Sequence, residues 1–312
     1  MKKVAFMFPG QGSQAVGMGK DIFDEFSDAQ QLYQEADQVL NKNLSELMFK
    51  GPKEELTETE NAQPALLLSS IALHSLLLKE EIQPVMAVGH SLGEYSALVA
   101  AGALSIEEAL TLVATRGRLM EEAFPKGQGT MAAVLGLDEE AIASTLAKVE
   151  DETVNIANLN CPGQVVISGS QAGVELATSL LKERGAKRVL PLNVSGPFHS
   201  ILMQPASEAF SKYLDEVKIN DASIPVYANV TATPVTESGK IRELLIEQLY
   251  SPVRFEESIR HMLDEGVDAL VEVGNGKVLS GLVKKIDKSV KTFAVQDTAS
   301  LHEFISWYKE DA

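Results

Sequence analysis

The sequence predicts an α/β protein, with a mostly parallel sheet flanked by helices and a smaller α+β unit inserted into it. Two short apolar runs, at 4–8 and 85–89, each precede a glycine-rich turn and a helical segment, as parallel strands do. Between residues 126 and 195 the pattern changes to six shorter elements. The 312 residues are 45% hydrophobic and 23% charged, a balance that can fill one large core and one smaller core.

Proline, glycine and helical periodicity define the elements of the first third of the chain. The strand at 4–8 ends at Pro9, and a polar, glycine-rich loop leads to an amphipathic helix at 22–40. Pro64 is expected to open a second helix, because proline is favoured at the first helical position. The strand and turn at 85–93 are followed by another helix. Parallel strands joined through helices are therefore expected here.

The middle third has the element order β-α-β-β-α-β, which is the order of the ferredoxin-like unit. Its strands are expected at 130–137, 153–159, 164–168 and 187–192, and its helices at 139–149 and 174–184. Such a unit is self-contained. We therefore expect a small ferredoxin-like subdomain at 126–195, inserted into a large domain formed by 1–125 and 196–312.

The remaining segments are expected to complete the large domain. A helix begins at Ser105, where Glu108 three residues later forms a predicted capping box, and this helix carries Arg116. Beyond the insert, helices are expected at 200–217 and 239–250, and strands at 225–229, 269–273 and 292–295. These strands belong to a mostly parallel sheet with helices on both faces.

Residues 89–93, Gly-His-Ser-Leu-Gly, have the pattern Gly-x-Ser-x-Gly between a predicted strand and a predicted helix. In hydrolase-like folds this turn lifts the serine clear of the sheet as a nucleophile. Ser91 is therefore a candidate nucleophile. The backbone N–H of Leu92, at the start of the helix, is a candidate donor to an oxyanion. The alternative is a glycine-rich turn whose serine only caps the helix.

A serine nucleophile needs a base, and the five histidines are 74, 90, 199, 261 and 302. His199 lies in a rigid, turn-rich loop directly after the insert, where a scaffold can hold a catalytic group. The alternative for His199 is a loop histidine without a role. His74 lies in an apolar helix and is expected to pack or face solvent, and His90 is expected to point away from Ser91.

Composition excludes several classes of function. A formal net charge of −17 argues against nucleic-acid binding that is independent of sequence. No His or Cys pair has metal-ligand spacing, and the loop at 9–14 lacks the ending of a phosphate-binding loop. The apolar runs are too short to predict a membrane span, and the N-terminus lacks a secretory pattern. Cys161 is expected to be a buried structural thiol, and a cytoplasmic location is expected.

Eight segments of the chain, taken in order, resemble the malonyl-CoA:acyl carrier protein transacylase family, relatives of the acyltransferase domains in fatty acid and polyketide synthases. They are FPGQGSQ at 8–14, NAQPA at 61–65, GHSLGEYSALVAAG at 89–102, TRGRLM at 115–120, NCPGQVVISG at 160–169, SGPFHS at 195–200, EQLYSPVRF at 247–255 and EVGNGKVLSGL at 272–282. Any one segment is a weak signal, but their shared order is specific. The resemblance implies that Ser91 is the nucleophile and His199 its base.

The resemblance also implies a ping-pong reaction that supplies fatty acid chain elongation. Ser91 takes the malonyl group from malonyl-CoA, and the phosphopantetheine thiol of acyl carrier protein then takes it from the serine. The family's oxyanion donors correspond to the backbone N–H groups of Gln11 and Leu92, and the residue that pairs with the malonyl carboxylate corresponds to Arg116. The main-chain carbonyl of Gln248 corresponds to the group that orients the histidine. The resemblance implies no metal and no cofactor.

Phe198 resembles the residue that accompanies malonyl use in synthase acyltransferases, where a smaller residue accompanies methylmalonyl use. A bulky ring leaves no room for an extra α-methyl group, whose exclusion is worth about 1–3 kcal/mol. The chain departs from the family at Phe255, where tryptophan is common, and at Asn275, where proline is common. Neither is a catalytic position of the family, so the departures concern local packing.

Two other functions stay open on the sequence. A serine esterase or thioesterase would use water as the acceptor, and a hydrolase of neutral esters would have no use for a buried guanidinium at Arg116. Taken alone, Arg116 would be expected in solvent, as most arginines near a helix end are. An inactive scaffold is disfavoured, because the serine, the base and both oxyanion positions match the family.

Acyl carrier protein is typically acidic in this family, and this chain is acidic as well. Docking therefore needs a local basic patch rather than long-range attraction. Two clusters are candidates: Lys182, Arg184, Lys187 and Arg188 in the insert, and Lys284, Lys285, Lys288 and Lys291 near the C-terminus. The alternative for either cluster is a solvated face without a partner.

Overall fold

Two separate β-sheets organise the chain over residues 2–310, which are the residues described by the computed structural model. Sheet A has the strand order β10-β9-β1-β2-β7-β8, and sheet B has the order β4-β5-β3-β6. Residues 1, 311 and 312 belong to the predicted large domain and lie outside the described residues.

The helices and strands have the following bounds. The strands are β1 (Val4–Phe8), β2 (Met86–Gly89), β3 (Gly129–Leu135), β4 (Val154–Cys161), β5 (Gln164–Ser170), β6 (Arg188–Pro191), β7 (Val226–Tyr227), β8 (Pro234–Val235), β9 (Ala269–Val273) and β10 (Thr292–Val295). The α-helices are α1 (Lys20–Glu25), α2 (Ser27–Leu40), α3 (Leu44–Lys50), α4 (Lys53–Thr57), α5 (Thr59–Lys79), α6 (Gly93–Ala100), α7 (Ile106–Glu122), α8 (Glu139–Leu146), α9 (Gln171–Glu183), α10 (Gln204–Glu216), α11 (Ser238–Gln248), α12 (Phe255–Asp264), α13 (Val278–Ile286) and α14 (Thr298–Lys309). A short 3-10 helix at Ile201–Met203 precedes α10.

Sheet A is parallel except at one edge, where β8 pairs antiparallel with β7. Both of its faces are covered, and every residue of β1 is buried for that reason. Phe6 and Phe8 point into a core shared with α2, α5 and α7, whereas Ala5 and Met7 point into a second core shared with α12 and α13. The near-continuous apolar run that predicted this strand is thus explained by burial on both sides.

Sheet B is antiparallel throughout, and its elements follow in the order β3-α8-β4-β5-α9-β6. The strand order places β5 and β3 at the centre, as in a ferredoxin-like unit. Helices α8 and α9 cover one face and enclose a core of their own, centred on Val134, Ile142 and Ile167. The predicted fold class agrees with this architecture. The domain boundaries at 125/126 and 195/196 stay a prediction.

Two helices differ from their predicted form. The single helix expected at 22–40 is split into α1 and α2, because Phe26 is extended with φ −119° and ψ 113°. Pro64 does not open a helix but lies in the second turn of α5, which begins at Thr59. Helix α5 is long and apolar enough to span a membrane, yet 89% of its most apolar 18-residue segment is buried inside the protein. It is a core helix.

The two sheets are joined by backbone hydrogen bonds as well as by the chain connections. The N–H of Leu159 on β4 donates to the carbonyl of Val253 (2.8 Å), and the N–H of Val253 donates to the carbonyl of Ala157 (2.8 Å). Val253 lies two residues before α12, which packs against sheet A. The small sheet is therefore held against the large domain through β4 and the segment before α12.

Candidate active site

Ser91 lies on a sharp turn between β2 and α6. Its backbone has φ +53°, in the left-handed region that favours glycine. The turn is tight because two glycines flank it: a Cβ on Gly89 would lie 1.8 Å from the carbonyl carbon of Gly93, and a Cβ on Gly93 would lie 2.0 Å from the carbonyl oxygen of Phe8. The pattern Gly-x-Ser-x-Gly thus produces a strained strand-to-helix turn that exposes the serine hydroxyl, as the sequence predicts.

The structure brings Ser91 and His199 into direct contact. Ser91 Oγ lies 2.8 Å from His199 Nε2, and His199 Nδ1 lies 2.9 Å from the main-chain carbonyl oxygen of Gln248. A carbonyl oxygen can only accept, so Nδ1 carries the ring proton and Nε2 is left to accept the proton of the serine hydroxyl. The candidate nucleophile, the candidate base and the carbonyl of Gln248 thus form a chain of hydrogen bonds that includes no carboxylate.

His199 is held in place by its backbone and is almost fully buried, with 4% of its surface exposed. Its φ of +57° is again left-handed, and its N–H donates to the carbonyl of Leu249 at 3.2 Å. Burial, and next the positive charge of Arg116, lower the pKa of His199 from 6.5 to about 3. The imidazole is therefore neutral at physiological pH and able to take a proton.

Arg116 is buried in the site rather than solvated, with 1% of its surface exposed. One guanidinium nitrogen, NH2, donates to Ser91 Oγ (3.1 Å) and to the side-chain oxygen of Gln248 (2.8 Å). The other, NH1, donates to the side-chain oxygen of Gln63 (2.9 Å). Within residues 2–310 these direct partners are all neutral. A buried guanidinium with neutral partners is well suited to bind an anion beside the serine.

Gln11 and Leu92 line the same cavity as Ser91, and they approach it from different strands. Gln11 lies in the loop after β1, and Leu92 is the residue before α6, where the partial positive charge of the helix N-terminus is felt. Among residues 2–310 the backbone N–H of neither residue donates a hydrogen bond. Both N–H groups are thus available to an oxygen in the cavity.

The cavity has a volume of about 230 Å³ and is lined by both sheets. The large domain contributes the serine, the loop after β1 and, from α7, the arginine, whereas sheet B contributes Met131, Asn160 and Val166. Phe198 is 5% exposed and forms part of the wall. His90 does not face the serine: its Nε2 lies 2.8 Å from Asn160 Oδ1, which ties the turn to β4.

Three buried polar residues of the site had no role predicted from the sequence. Gln63 on α5 is hydrogen-bonded to Arg116, and Asn229 after β7 is hydrogen-bonded to the turn that carries Ser91. The side chain of Asn229 accepts from the N–H of Ser91 (2.7 Å) and donates to the carbonyl of Gly89 (2.6 Å). The third residue is Glu94, which accepts from the side chain of Gln248 and from the backbone of Asn229. Buried polar groups that converge on one turn are a structural signal of a functional site.

The other candidate residues lie away from the serine. His74 is buried beside Phe6 and Phe8. Cys161 is buried at the end of β4, and burial raises the pKa of its thiol. No group of three or more His, Cys, Asp or Glu side chains in the part of the chain described by the structure is arranged to hold a metal ion.

The comparison with known protein families decides the classification. A sequence model described as "acyl transferase domain" matches residues 5–304. The chain belongs to the acyl transferase family. The malonyl CoA-acyl carrier protein transacylase of Bacillus subtilis (strain 168) is 55% identical over 313 residues, which cover 100% of this chain and 99% of the relative. The protein of the same name from Staphylococcus aureus (strain MSSA476) is 45% identical, with 100% of both chains covered.

Solved structures of acyltransferases have the same architecture. An acyl carrier protein S-malonyltransferase from Vibrio cholerae has a TM-score of 0.95 and 47% identity, with 97% of this chain and 99% of that chain covered. A malonyl-transacylase in complex with a type II polyketide synthase acyl-carrier protein has a TM-score of 0.95 and 42% identity, with the same coverage. The family and the fold class predicted from the sequence are both confirmed.

Proposed function

We propose that this acyltransferase moves a malonyl group from malonyl-CoA to the phosphopantetheine thiol of acyl carrier protein and so supplies fatty acid chain elongation. The observation that carries the proposal is a buried arginine 3.1 Å from a serine hydroxyl that is itself 2.8 Å from a histidine. A nucleophile, a base and an anion site within one cavity suit an acyl group that ends in a carboxylate. The names of the full-length relatives describe the same reaction.

The first half of the reaction forms a malonyl-serine ester. Ser91 Oγ attacks the thioester carbonyl while its proton passes to His199 Nε2. The carbonyl oxygen becomes negative and accepts from the backbone N–H groups of Gln11 and Leu92. The C–S bond then breaks, and the CoA sulfur leaves with the proton held by His199. Arg116 binds the free carboxylate of the malonyl group in this step and in the next.

The second half runs the same groups in reverse order. The carrier-protein thiol gives its proton to His199 and attacks the ester carbonyl, and the oxyanion is again held by the two backbone N–H groups. The C–O bond to Ser91 breaks, and the serine oxygen recovers a proton from His199. The main-chain carbonyl of Gln248 keeps Nδ1 protonated throughout, so that Nε2 alone exchanges protons. These side chains and backbone groups account for both steps without a cofactor.

Two features of the cavity support malonyl as the acyl group. The guanidinium of Arg116 is buried, which is costly in an enzyme whose substrates are all neutral, and this observation disfavours an esterase of neutral esters. Phe198 closes part of the wall, and its ring is proposed to exclude a branched acyl group such as methylmalonyl. We also propose that the enzyme works in the cytoplasm, where its single cysteine stays reduced.

The experiment that tests the proposal is intact-mass analysis after brief exposure of the enzyme to malonyl-CoA. A malonyl adduct mapped to Ser91, absent in the Ser91→Ala variant, is expected. Addition of carrier protein that bears phosphopantetheine is then expected to discharge the adduct onto the carrier, whereas carrier protein without phosphopantetheine leaves it in place. An adduct on another residue would contradict the proposed nucleophile. Release of free malonate without transfer to the carrier would favour a hydrolase.

A further inference from the structure

Glu94 is a buried carboxylate behind the reacting serine, and neither half of the proposed reaction uses it. It lies on α6, three residues after Ser91, and 3% of its surface is exposed. One oxygen, Oε2, accepts from the side-chain amide of Gln248 (2.8 Å) and from the backbone N–H of Asn229 (3.0 Å). A carboxylate buried this deeply is costly unless an opposite charge offsets it.

The amide of Gln248 lies directly between Glu94 and Arg116. Its Nε2 donates to Glu94 at 2.8 Å, and its Oε1 accepts from Arg116 at 2.8 Å. An ionised carboxylate can only accept and a guanidinium can only donate, so the two charges fix which way the amide points. The same Nε2 also lies 3.0 Å from the main-chain carbonyl of Ser91. The orientation of Gln248 therefore connects the arginine to the serine turn.

This separation has an electrostatic consequence. A carboxylate bound directly to the guanidinium of Arg116 would occupy the donors that a substrate carboxylate needs. A carboxylate one amide farther away still attracts the buried positive charge, and it leaves N–H donors of the guanidinium free for the substrate. Burial raises the pKa of Glu94 to about 7, against the lowering effects of its hydrogen bonds and of Arg116, so Glu94 is ionised at pH 8.

We propose that Glu94 is a positioning residue: it is the counter-charge of Arg116, held one amide away by Gln248, and it leaves the guanidinium free to bind a substrate carboxylate. The proposal rests on the proposed role of Arg116 in malonyl binding and adds a residue to it. It also gives the side chain of Gln248 a function separate from that of its main-chain carbonyl.

The first test measures binding in a Ser91→Ala background, where no acyl group is transferred, with malonyl-CoA and acetyl-CoA titrated calorimetrically at pH 8. Glu94→Gln keeps an oxygen that can accept the same hydrogen bonds but removes the negative charge. Repulsion of the malonyl carboxylate is lost, so malonyl-CoA is expected to bind about fivefold more tightly while acetyl-CoA binding is unchanged. A purely structural role predicts weaker binding of both. Unchanged or weaker malonyl-CoA binding in the folded variant would overturn the proposal.

The second test measures thermal stability and does not depend on activity. Glu94→Gln leaves Arg116 without its counter-charge and is expected to lower the melting temperature, and adding Arg116→Met is expected to restore it. Glu272 supplies the matched control, because it is fully buried and accepts from the N–H groups of Leu279 and Ser280. Any loss of stability in Glu272→Gln is not restored by Arg116→Met.

The two tests separate this proposal from the proposed function. If Glu94→Gln does not fold, folding of the double variant with Arg116→Met supports the proposal, and failure of the double variant to fold overturns it. If Arg116→Met alone leaves the malonyl-to-acetyl binding ratio unchanged, the proposed role of Arg116 in substrate binding fails. The stability test still decides whether Glu94 and Arg116 are coupled.

Discussion

The cleft around His199 and the apolar core around His74 each bury a histidine, and they differ in what surrounds the ring. His74 is 4% exposed and lies edge-on to Phe6 and Phe8, and its Nε2 has no hydrogen-bond partner among residues 2–310. His199 is equally buried but has a partner at each nitrogen. Burial lowers both pKa values, to about 4 and about 3. Burial thus favours the neutral form of both rings, and of the two only His199 has a hydroxyl beside it that could give it a proton.

The largest difference in transfer rate is expected between variants in which one or the other of these two histidines is replaced by a side chain that cannot accept a proton. His199→Ala removes the proposed base and is expected to lower the rate of malonyl transfer to carrier protein by roughly 10³-fold or more. His74→Leu places an apolar side chain in an apolar core and is expected to leave the transfer rate within about twofold of that of the parent. Equal losses in a transfer assay would mean that the comparison between cleft and core is wrong.

A smaller but more selective effect is expected at Arg116, the charged group that distinguishes the cleft from the core. Arg116→Met keeps the length of the side chain and removes its donors and charge. We expect kcat/KM for malonyl-CoA to fall about 100-fold, while that for acetyl-CoA holds or rises. Steady-state kinetics with the two donors measure the ratio. Parallel losses on both donors would argue against a carboxylate site.

The two histidines are expected to make similar contributions to the pH dependence of the free energy of unfolding. A histidine whose pKa is lowered by folding binds fewer protons in the folded than in the unfolded chain. The free energy of unfolding is therefore highest above the unfolded pKa of 6.5 and falls as pH drops towards the folded values of about 4 and about 3. Each histidine contributes up to about 1.4 kcal/mol per pH unit to this slope.

Removing either histidine is expected to flatten that slope. Denaturation of His74→Leu and His199→Asn at pH 7, 6 and 5 measures the change, and each variant is expected to lose less stability than the parent between pH 7 and 5. A slope as steep as that of the parent in His74→Leu would show that burial does not lower its pKa.

Phe198 belongs to both regions, since it packs with the core and also lines the cavity. Phe198→Leu is expected to raise the ratio of methylmalonyl to malonyl transfer by about tenfold, because a shorter side chain leaves room for one methyl group. Phe210→Leu makes the same change in a residue that only packs in the core, and it is expected to leave the ratio unchanged. An assay in which methylmalonyl-CoA and malonyl-CoA compete for the enzyme measures this ratio.

The smallest effect is expected at the rim of the cleft, where one lysine of each basic cluster lies near the turn at Gly163. Lys285 donates to Gln164 (3.0 Å), which lines the cavity, and the stem of Lys187 packs at Gly136, whose N–H binds Gly163 (2.9 Å). Lys187→Glu or Lys285→Glu is expected to lower kcat/KM for acyl carrier protein about fivefold, since local attraction to an acidic partner is reversed.

Two comparisons make the rim prediction specific. Free pantetheine has no acidic surface, so its use as the acceptor is expected to be unaffected by either charge reversal. Lys212 on α10 is exposed and does not line the cavity, and Lys212→Glu is expected to leave both acceptors unaffected. A selective loss in neither rim variant would mean that the carrier protein docks elsewhere.

The local part of the site could be predicted from the sequence because its signals are contiguous. The strand, the turn and the helix around Ser91 lie within one short segment. Gly89 is required there by the close approach of Gly93, and Gly93 is required by the close approach of β1. The order of the inserted elements was predictable for the same reason, because each strand and helix carries its own period. The partner of the serine, 108 residues away, was assigned by the resemblance to a known family.

The distant part of the site was not predictable from periodicity or spacing. Asn229 reaches Ser91 across 138 residues, and Gln248 reaches Glu94 across 154 residues, so these contacts exist only once sheet A has formed. Glu94 lies on a short, largely apolar helix, where nothing in the sequence separates a buried glutamate from a solvated one. Local errors had the same origin: the split at Phe26 and the internal Pro64 reflect tertiary packing that overrides helix signals.

The pair of backbone hydrogen bonds at Val253 has a consequence for how successive substrates use the enzyme. Because β4 is hydrogen-bonded to the segment before α12, a movement that separates the two sheets at this point must first break both hydrogen bonds. A cleft that stays closed between the two half-reactions avoids that cost, and the donor and the acceptor would then use the same entrance in turn.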